Sequence, residues 1–231
     1  MKKLVALISF IIFNSCSVNP VTGKQDFVTM SENQEIALGK KHHAQVLQQT
    51  RAYKDQDLQD YIQSIGDSLS LKSHRPNLFY RFTVLDSPDI NAFALPGGYI
   101  YINRGLMAYL SSEEELAAVL GHEIGHVTAR HSVRQYSQSQ LMGILSAAVQ
   151  MNSGTTAGDI VNVASGALLA GYGREMELEA DNLGAQYLYK DGYSTSGMMN
   201  VLSVLKDQEI YSKELAKKRG VEPKNYHGIF V

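Results

Sequence analysis

The chain has 231 residues, an apolar fraction of 44% and a formal net charge of −2, which is enough for one main domain with an ordinary hydrophobic core. Lysine and arginine are scattered and do not alternate with aromatic residues on any stretch, so no nucleic-acid partner is expected. A single cysteine excludes a disulfide within the chain.

The N-terminal segment is typical of a secretory signal. Two lysines precede an apolar run, residues 4–13, that is too short to span a bilayer as a permanent helix, and Cys16 follows it. This layout resembles a bacterial lipoprotein signal of residues 1–15, removed before Cys16, which then carries the lipid. The resemblance predicts a periplasmic protein of the bacterial cell envelope, held to the membrane through Cys16. Ser17, which follows the cysteine, favours the outer membrane by the same resemblance.

Residues 16–30 are interpreted as a polar tether and residues 31–231 as the main domain. Apolar residues recur at helical spacing over residues 30–47 and again over residues 57–71. Ser31 precedes most of the first stretch as a capping residue. We therefore expect two amphipathic helices before the first strand.

Aromatic and β-branched residues with partial alternation mark the next part of the chain. Three segments share these features and are predicted strands: 79–85, 91–95 and 99–102. The turn residues 96–98 join the last two into a hairpin. An extended peptide can add to an exposed sheet edge as a further strand, held by main-chain hydrogen bonds. Asn91, Ala92 and Phe93 are the candidates for such a binding edge, although ordinary core strands explain the same pattern.

The central helix is predicted to begin after Ser112. Its side chain can cap the free amides of the first turn, and Glu115, three residues on, completes a capping-box pattern. Alanine, leucine and valine then form an apolar stripe at helical spacing. The helix is expected to run past His131 toward Gln140.

This helix carries the pattern His122-Glu123-x-x-His126. Residues four apart on a helix lie about 40° from each other, so the two imidazoles face the same way and form half of a tetrahedral zinc site. Glu123 lies about 100° round the helix from His122, beside the metal, where it can take a proton from water. His131 points about 140° away from His126 and is not expected to bind the same ion. Two surface histidines that match by coincidence are the alternative.

A catalytic zinc ion needs a third protein ligand and an open position for water. Three glutamates in a helix-like stretch compete for that place. Glu177 is preferred, because Asp181 four residues on lies on the same face and can hold the second N–H of a ligating histidine. Glu175 and Glu179 are a like-charged pair at that spacing and stay open as alternatives. A solvated charged face explains this run without any metal.

The combination of these motifs resembles the M48 family of zinc metallopeptidases, and most of all its soluble, periplasmic branch. The resemblance covers most of the chain from about Val18 onward and rests on the following segments: His122-Glu123-x-x-His126, Glu177-x-x-x-Asp181, Asn19-Pro20-Val21-Thr22-Gly23, residues 91–98 and residues 128–131. It implies a mainly helical α+β fold of the gluzincin type, with a small sheet beside the zinc helix. It also implies one zinc ion per chain, Glu177 as third ligand and Glu123 as general base. Similar M48 proteins continue beyond residue 231, so the resemblance implies a shortened C-terminus.

The expected function is that of a zinc-dependent endopeptidase, which hydrolyses peptide bonds in misfolded or mislocalised cell-envelope proteins. Unfolded or misassembled envelope proteins are then its partners as substrates. The alternative is an envelope chaperone or assembly factor that uses the same groove with little proteolysis. An inactivated peptidase would be expected to lack Glu123 or a ligand, and none is missing. A purely structural zinc site is disfavoured, because such sites are usually closed by four ligands and rich in cysteine.

Overall fold

The computed structural model describes residues 16–149 and 172–220; the predicted signal segment, residues 1–15, lies outside them. The described chain is mainly helical. Its helices are α1 (Glu32–Gln49), α2 (Gln56–Leu71), α3 (Arg104–Met107), α4 (Glu113–Thr128), α5 (His131–Val149), α6 (Arg174–Asp191) and α7 (Ser196–Arg219). Its strands are β1 (Cys16–Val18), β2 (Gln25–Phe27), β3 (Arg81–Leu85), β4 (Ala92–Leu95) and β5 (Tyr99–Asn103). The predicted fold class, mainly helical α+β, is confirmed.

Strands β3, β4 and β5 form a small sheet in the order β3-β5-β4. Strand β5 is parallel to β3 and antiparallel to β4, and β4 and β5 make the predicted hairpin. The turn between them needs glycine, since Gly97 and Gly98 have φ angles of 76° and 91°. Strand β4 begins at Ala92 rather than at Asn91. On its other side, no strand of the described chain pairs with β4.

The opposite edge of this sheet is closed by two glutamine side chains of α2. The Gln59 amide accepts a hydrogen bond from the Val84 N–H (2.9 Å) and donates one to the Val84 carbonyl (3.1 Å). The Gln63 amide accepts from the Phe82 N–H (3.0 Å) and donates to the Tyr80 carbonyl (3.1 Å). Each amide therefore replaces a neighbouring strand, and β3 has few main-chain groups left to offer to another chain.

Helix α4 is the centre of the hydrophobic core. It is buried continuously from Glu115 to Thr128, and α2, β4, α6 and α7 pack on it. The Ser112 side chain accepts a hydrogen bond from the Glu115 N–H, as predicted. The return bond differs from a regular capping box, because the Glu115 carboxylate accepts from the Ser111 N–H at 2.7 Å. The cap still satisfies free donors at the start of the helix.

The expectation that this helix continues past His131 is wrong. Helix α4 ends at Thr128, and Arg130 adopts a left-handed conformation with φ of 56° before α5 begins. The buried guanidinium of Arg130 lies 2.9 Å from the carboxylate of Glu35, which is 1% exposed. This ion pair fixes the Arg130 side chain against α1, and the break turns His131 back toward the end of α4.

Residues 16–30, the predicted polar tether, contain an antiparallel ribbon of β1 and β2, and Thr29 donates a hydrogen bond to Ser137 of α5. Within the described ranges, no helix combines the length and the apolar character that crossing a membrane requires.

Helices α4 and α6 approach so closely that their backbones touch. A Cβ atom built on Gly184 of α6 would lie 2.9 Å from the backbone nitrogen of His122 and 3.0 Å from the carbonyl carbon of Gly121. A Cβ atom built on Gly125 would lie 2.8 Å from the carbonyl oxygen of Ala180. Because these residues are glycines, α4 and α6 can pack closely enough for side chains of both helices to meet between them.

A valine at position 184 should therefore destabilise the fold. We expect Gly184→Val to lower the free energy of unfolding by about 1–3 kcal/mol, because the helices must separate to admit the branched side chain. Urea unfolding followed by circular dichroism measures the change. Gln186→Val puts the same residue at an exposed position of α6 and should change stability by only a few tenths of a kcal/mol. Equal stability of the two variants would contradict the close contact.

Candidate metal centre

The three residues proposed as metal ligands meet between α4 and α6. His122, His126 and Glu177 are 0%, 1% and 1% exposed. The Nε2 atoms of the two histidines lie 2.9 Å apart. The Glu177 Oε2 atom lies 3.4 Å from His122 Nε2 and 3.7 Å from His126 Nε2. The three side chains thus point two nitrogens and one carboxylate oxygen at a common point, all within 4.8 Å of one another.

The charge and the hydrogen bonding of the Glu177 carboxylate show whether a cation fits between these three side chains. Neither carboxylate oxygen makes a hydrogen bond within the described residues, and both are buried. Burial alone would raise the pKa of this carboxyl, but the facing rings of His122 and His126 hold its pKa at about 2. Glu177 is therefore a buried anion, and a buried charge without compensation is costly. A divalent cation among the two imidazoles and the carboxylate would supply that compensation, and this donor set fits zinc.

Asp181 determines how one of the histidines presents its ring. The Asp181 carboxylate lies 2.8 Å from His122 Nδ1, so this nitrogen carries the proton and donates it. The Nε2 atom of His122 then faces the cluster. Burial lowers the pKa of His122, but Asp181 and Glu177 outweigh it and raise the pKa to about 9. This is the arrangement expected of a carboxylate that orients a metal ligand.

Glu123 is not one of the three converging residues, but its carboxyl is close enough for the charges of His122 and Glu177 to act on it. It is 1% exposed, and both of its carboxylate oxygens lack a hydrogen-bond partner in the described part of the chain. Burial, together with the nearby charge of Glu177, raises its pKa to about 8, although His122 acts in the opposite direction. A buried carboxyl group that no protein donor occupies is available to a water molecule or a substrate group.

The two alternative glutamates have other surroundings. Glu175 is exposed. The Glu179 Oε2 atom lies 3.1 Å from His131 Nε2 and accepts a hydrogen bond from Arg134 at 3.0 Å. Glu179 therefore has specific partners in α5, whereas Glu175 faces solvent.

Two residues near His126 were not found from the sequence. His131 Nδ1 lies 2.8 Å from His126 Nδ1, and the ring of Tyr172 stacks on His126 with centroids 4.1 Å apart. The expectation that His131 points away from His126 assumes an unbroken helix, and the break at Arg130 turns the His131 ring toward His126 instead. No sequence pattern marks Tyr172.

The three residues proposed to bind substrate lie at the edge of the sheet. Ala92 and Phe93 belong to β4, and Asn91 precedes it, with its carbonyl accepting a hydrogen bond from the Asn103 N–H at 2.9 Å. Ala92 is buried against the core, whereas the half-exposed ring of Phe93 stacks on Tyr101 at 4.7 Å. Strand β4 packs against α4, the helix that carries the two histidines.

Comparison with known proteins agrees with this geometry. Residues 54–227 match the model of Peptidase family M48. The chain is 31% identical over 204 residues to the beta-barrel assembly-enhancing protease of Yersinia pestis, covering 83% of this chain and 42% of that protein. It is 32% identical over 128 residues to the metalloprotease YcaL of Escherichia coli, covering 54% of this chain and 50% of that protein.

A mitochondrial relative has a similar level of identity. The metalloendopeptidase OMA1 of Arabidopsis thaliana is 32% identical over 140 residues, which cover 60% of this chain and 28% of that protein. The chain thus spans half or less of the length of these three relatives. The family match covers most of the chain and includes both helices of the metal centre. The chain therefore belongs to peptidase family M48, a family of metallopeptidases.

Proposed function

We propose that this chain is a zinc endopeptidase of the bacterial cell envelope, which hydrolyses peptide bonds in misfolded or mislocalised envelope proteins. The observation that carries the proposal is the buried convergence of His122, His126 and Glu177, with the unbonded carboxyl of Glu123 beside it. The name of the Yersinia pestis relative, a beta-barrel assembly-enhancing protease, supports envelope proteins as the substrate class.

Each residue of the site has a distinct task in this mechanism. His122, His126 and Glu177 would hold one zinc ion, and Asp181 would keep the His122 ring in the orientation that ligation needs. When bound, the ion would supply a Lewis acid for the scissile carbonyl and lower the pKa of water. Glu123, in its ionised form, would take a proton from the attacking water and pass it to the leaving amine. Within the described residues, no protein donor occupies the Glu123 oxygens.

The sheet offers a way to hold an extended peptide without reading its sequence. The edge of β3 is closed by Gln59 and Gln63, whereas β4 has no partner strand on its outer side in the described chain. An unfolded segment that adds to β4 next to Ala92 and Phe93 gains main-chain hydrogen bonds and runs beside α4. A protease that removes misfolded proteins benefits from such recognition, because its substrates share an exposed backbone rather than a sequence.

The envelope location is proposed to depend on Cys16. We expect Cys16→Ala to move the protein from the membrane fraction to the soluble fraction, because the predicted lipid on this cysteine is the proposed anchor. Fractionation of bacteria that express the full chain, followed by immunoblotting, measures the change. Ser17→Ala serves as the neighbouring control and should leave the protein on the membrane. A Cys16→Ala protein that stays on the membrane through a high-salt wash would contradict the lipid anchor.

Proteolysis with metal removal and replacement tests the proposed activity. The purified chain should cleave casein, a chelator should abolish cleavage, and a stoichiometric amount of zinc should restore it. Cleavage that persists in the metal-depleted protein would contradict the proposal. A chain that binds zinc and captures an unfolded outer-membrane protein without cleaving it would favour the chaperone alternative.

A further inference from the structure

The ring of His126 is held on both of its nitrogens. Its Nε2 atom faces the cluster with Glu177, and its Nδ1 atom lies 2.8 Å from Nδ1 of His131. His131 is 0% exposed, and its other nitrogen, Nε2, lies 3.1 Å from the Glu179 carboxylate. Together, His126, His131 and Glu179 form an unbroken line of side chains from the cluster to the surface of α6.

When His126 binds a metal, only one arrangement of protons lets both contacts, His126–His131 and His131–Glu179, be hydrogen bonds. Ligation uses the lone pair on His126 Nε2, so the ring proton must lie on Nδ1. That N–H can donate only if His131 Nδ1 accepts, which places the His131 proton on Nε2. This second N–H then donates to Glu179, a carboxylate that can only accept. Each member thus fixes the tautomer of the next.

The outer end of the line is also held in place. Arg134 donates a hydrogen bond of 3.0 Å to Glu179, and its Nε atom lies 3.5 Å from the carboxylate of Asp26 in β2. Glu179 and Arg134 have side chains that are 27% and 24% exposed, so the charges end at the surface rather than in the core. The ring of Tyr172 stacks on His126 and limits its rotation from the side.

We infer that His131, backed by Glu179, is a positioning residue for the ligand His126. Its role matches that of Asp181 toward His122, with a neutral imidazole inserted between the ligand and the carboxylate. The inference rests on the proposed metal site. Since an outer partner of this kind orients the ligand and raises its basicity, removing it should weaken metal binding without removing a ligand.

Zinc affinity in two His131 variants tests this inference. Leucine fills the space of the imidazole but cannot accept the His126 proton. Asparagine keeps an acceptor oxygen at the place of Nδ1 and loses the donor to Glu179. In competition with a chromophoric chelator, the zinc dissociation constant should rise about 10–100-fold for His131→Leu and by clearly less for His131→Asn, which keeps the acceptor for His126 but loses Glu179. The visible spectrum of the cobalt-substituted protein should change more for His131→Leu than for His131→Asn.

A matched pair of glutamates extends the test to the surface. Glu179→Gln should weaken zinc binding, whereas Glu175→Gln, the same change at an exposed position of α6, should not. If His131→Leu does not fold without metal, the comparison of Glu179→Gln with Glu175→Gln tests the positioning role instead. Wild-type zinc affinity in His131→Leu, equal losses in the leucine and asparagine variants, or equal affinities in the two glutamine variants would overturn the inference. A wild-type chain that binds no zinc would instead overturn the proposed metal site.

Discussion

Glu123→Gln should lower kcat by about 10²–10⁴-fold while the purified protein keeps one zinc ion per chain. Glutamine preserves the size and reach of the side chain, but its amide cannot accept the proton of the attacking water at neutral pH. The loss should appear in kcat, since the base acts in the transition state. Zinc should remain, because Glu123 is not among the residues whose ligand atoms converge.

Three measurements on one preparation separate the possible outcomes: zinc per chain, peptide turnover, and capture of an unfolded outer-membrane protein. Glu114→Gln is the matched control, because Glu114 is an exposed glutamate in the first turn of the same helix. We expect full zinc and intact capture in both variants, with turnover lost in Glu123→Gln alone. Turnover at the wild-type rate would remove Glu123 from the mechanism. Rescue of an envelope defect by the inactive variant would favour the chaperone alternative.

Glu177→Ala should abolish stable zinc binding. Two imidazoles cannot hold a catalytic ion, and the loss of a direct ligand should exceed the roughly 10–100-fold cost of losing an outer hydrogen-bond partner. Removing Glu177 also removes the buried anion that the cation compensates, so the metal-free fold should tolerate the substitution. Zinc content after gel filtration, with thermal unfolding of the same sample, measures both effects.

The control for this variant is Glu175→Ala, which deletes an exposed carboxylate two residues away on the same helix. It should retain zinc and activity. If Glu177→Ala retains one zinc ion per chain at wild-type affinity, Glu177 is not the third ligand. Glu179→Ala would then be the next variant to examine.

Local patterns were sufficient to predict most of the elements. The capping serines before α1 and α4, the alternation in the strands and the glycines of the hairpin turn each act over a few residues, and the predicted elements formed there. The alignment of His122 and His126 on one face also follows from helix geometry alone. These features could be derived because the residues that cause them are neighbours in the sequence.

The remaining features depend on residues distant in the sequence. Arg130, at the break between α4 and α5, pairs with Glu35, which lies far away on α1, whereas the helical pattern predicts an unbroken helix. The expectation that His131 points away from His126 depends on the same unbroken helix. The choice among the three glutamates needed the packing of α6 on α4. That packing requires Gly121 and Gly184 to lie opposite each other, a pairing that neither helix reveals alone.

The central claim is that His122, His126 and Glu177 bind one zinc ion. The most direct test is a crystal structure of the zinc-loaded chain, with diffraction data measured on both sides of the zinc absorption edge. We predict one anomalous peak per chain, about 2.0–2.2 Å from Nε2 of both histidines and from a Glu177 oxygen. A peak on other residues, or full zinc content in solution with no peak between α4 and α6, would contradict the account.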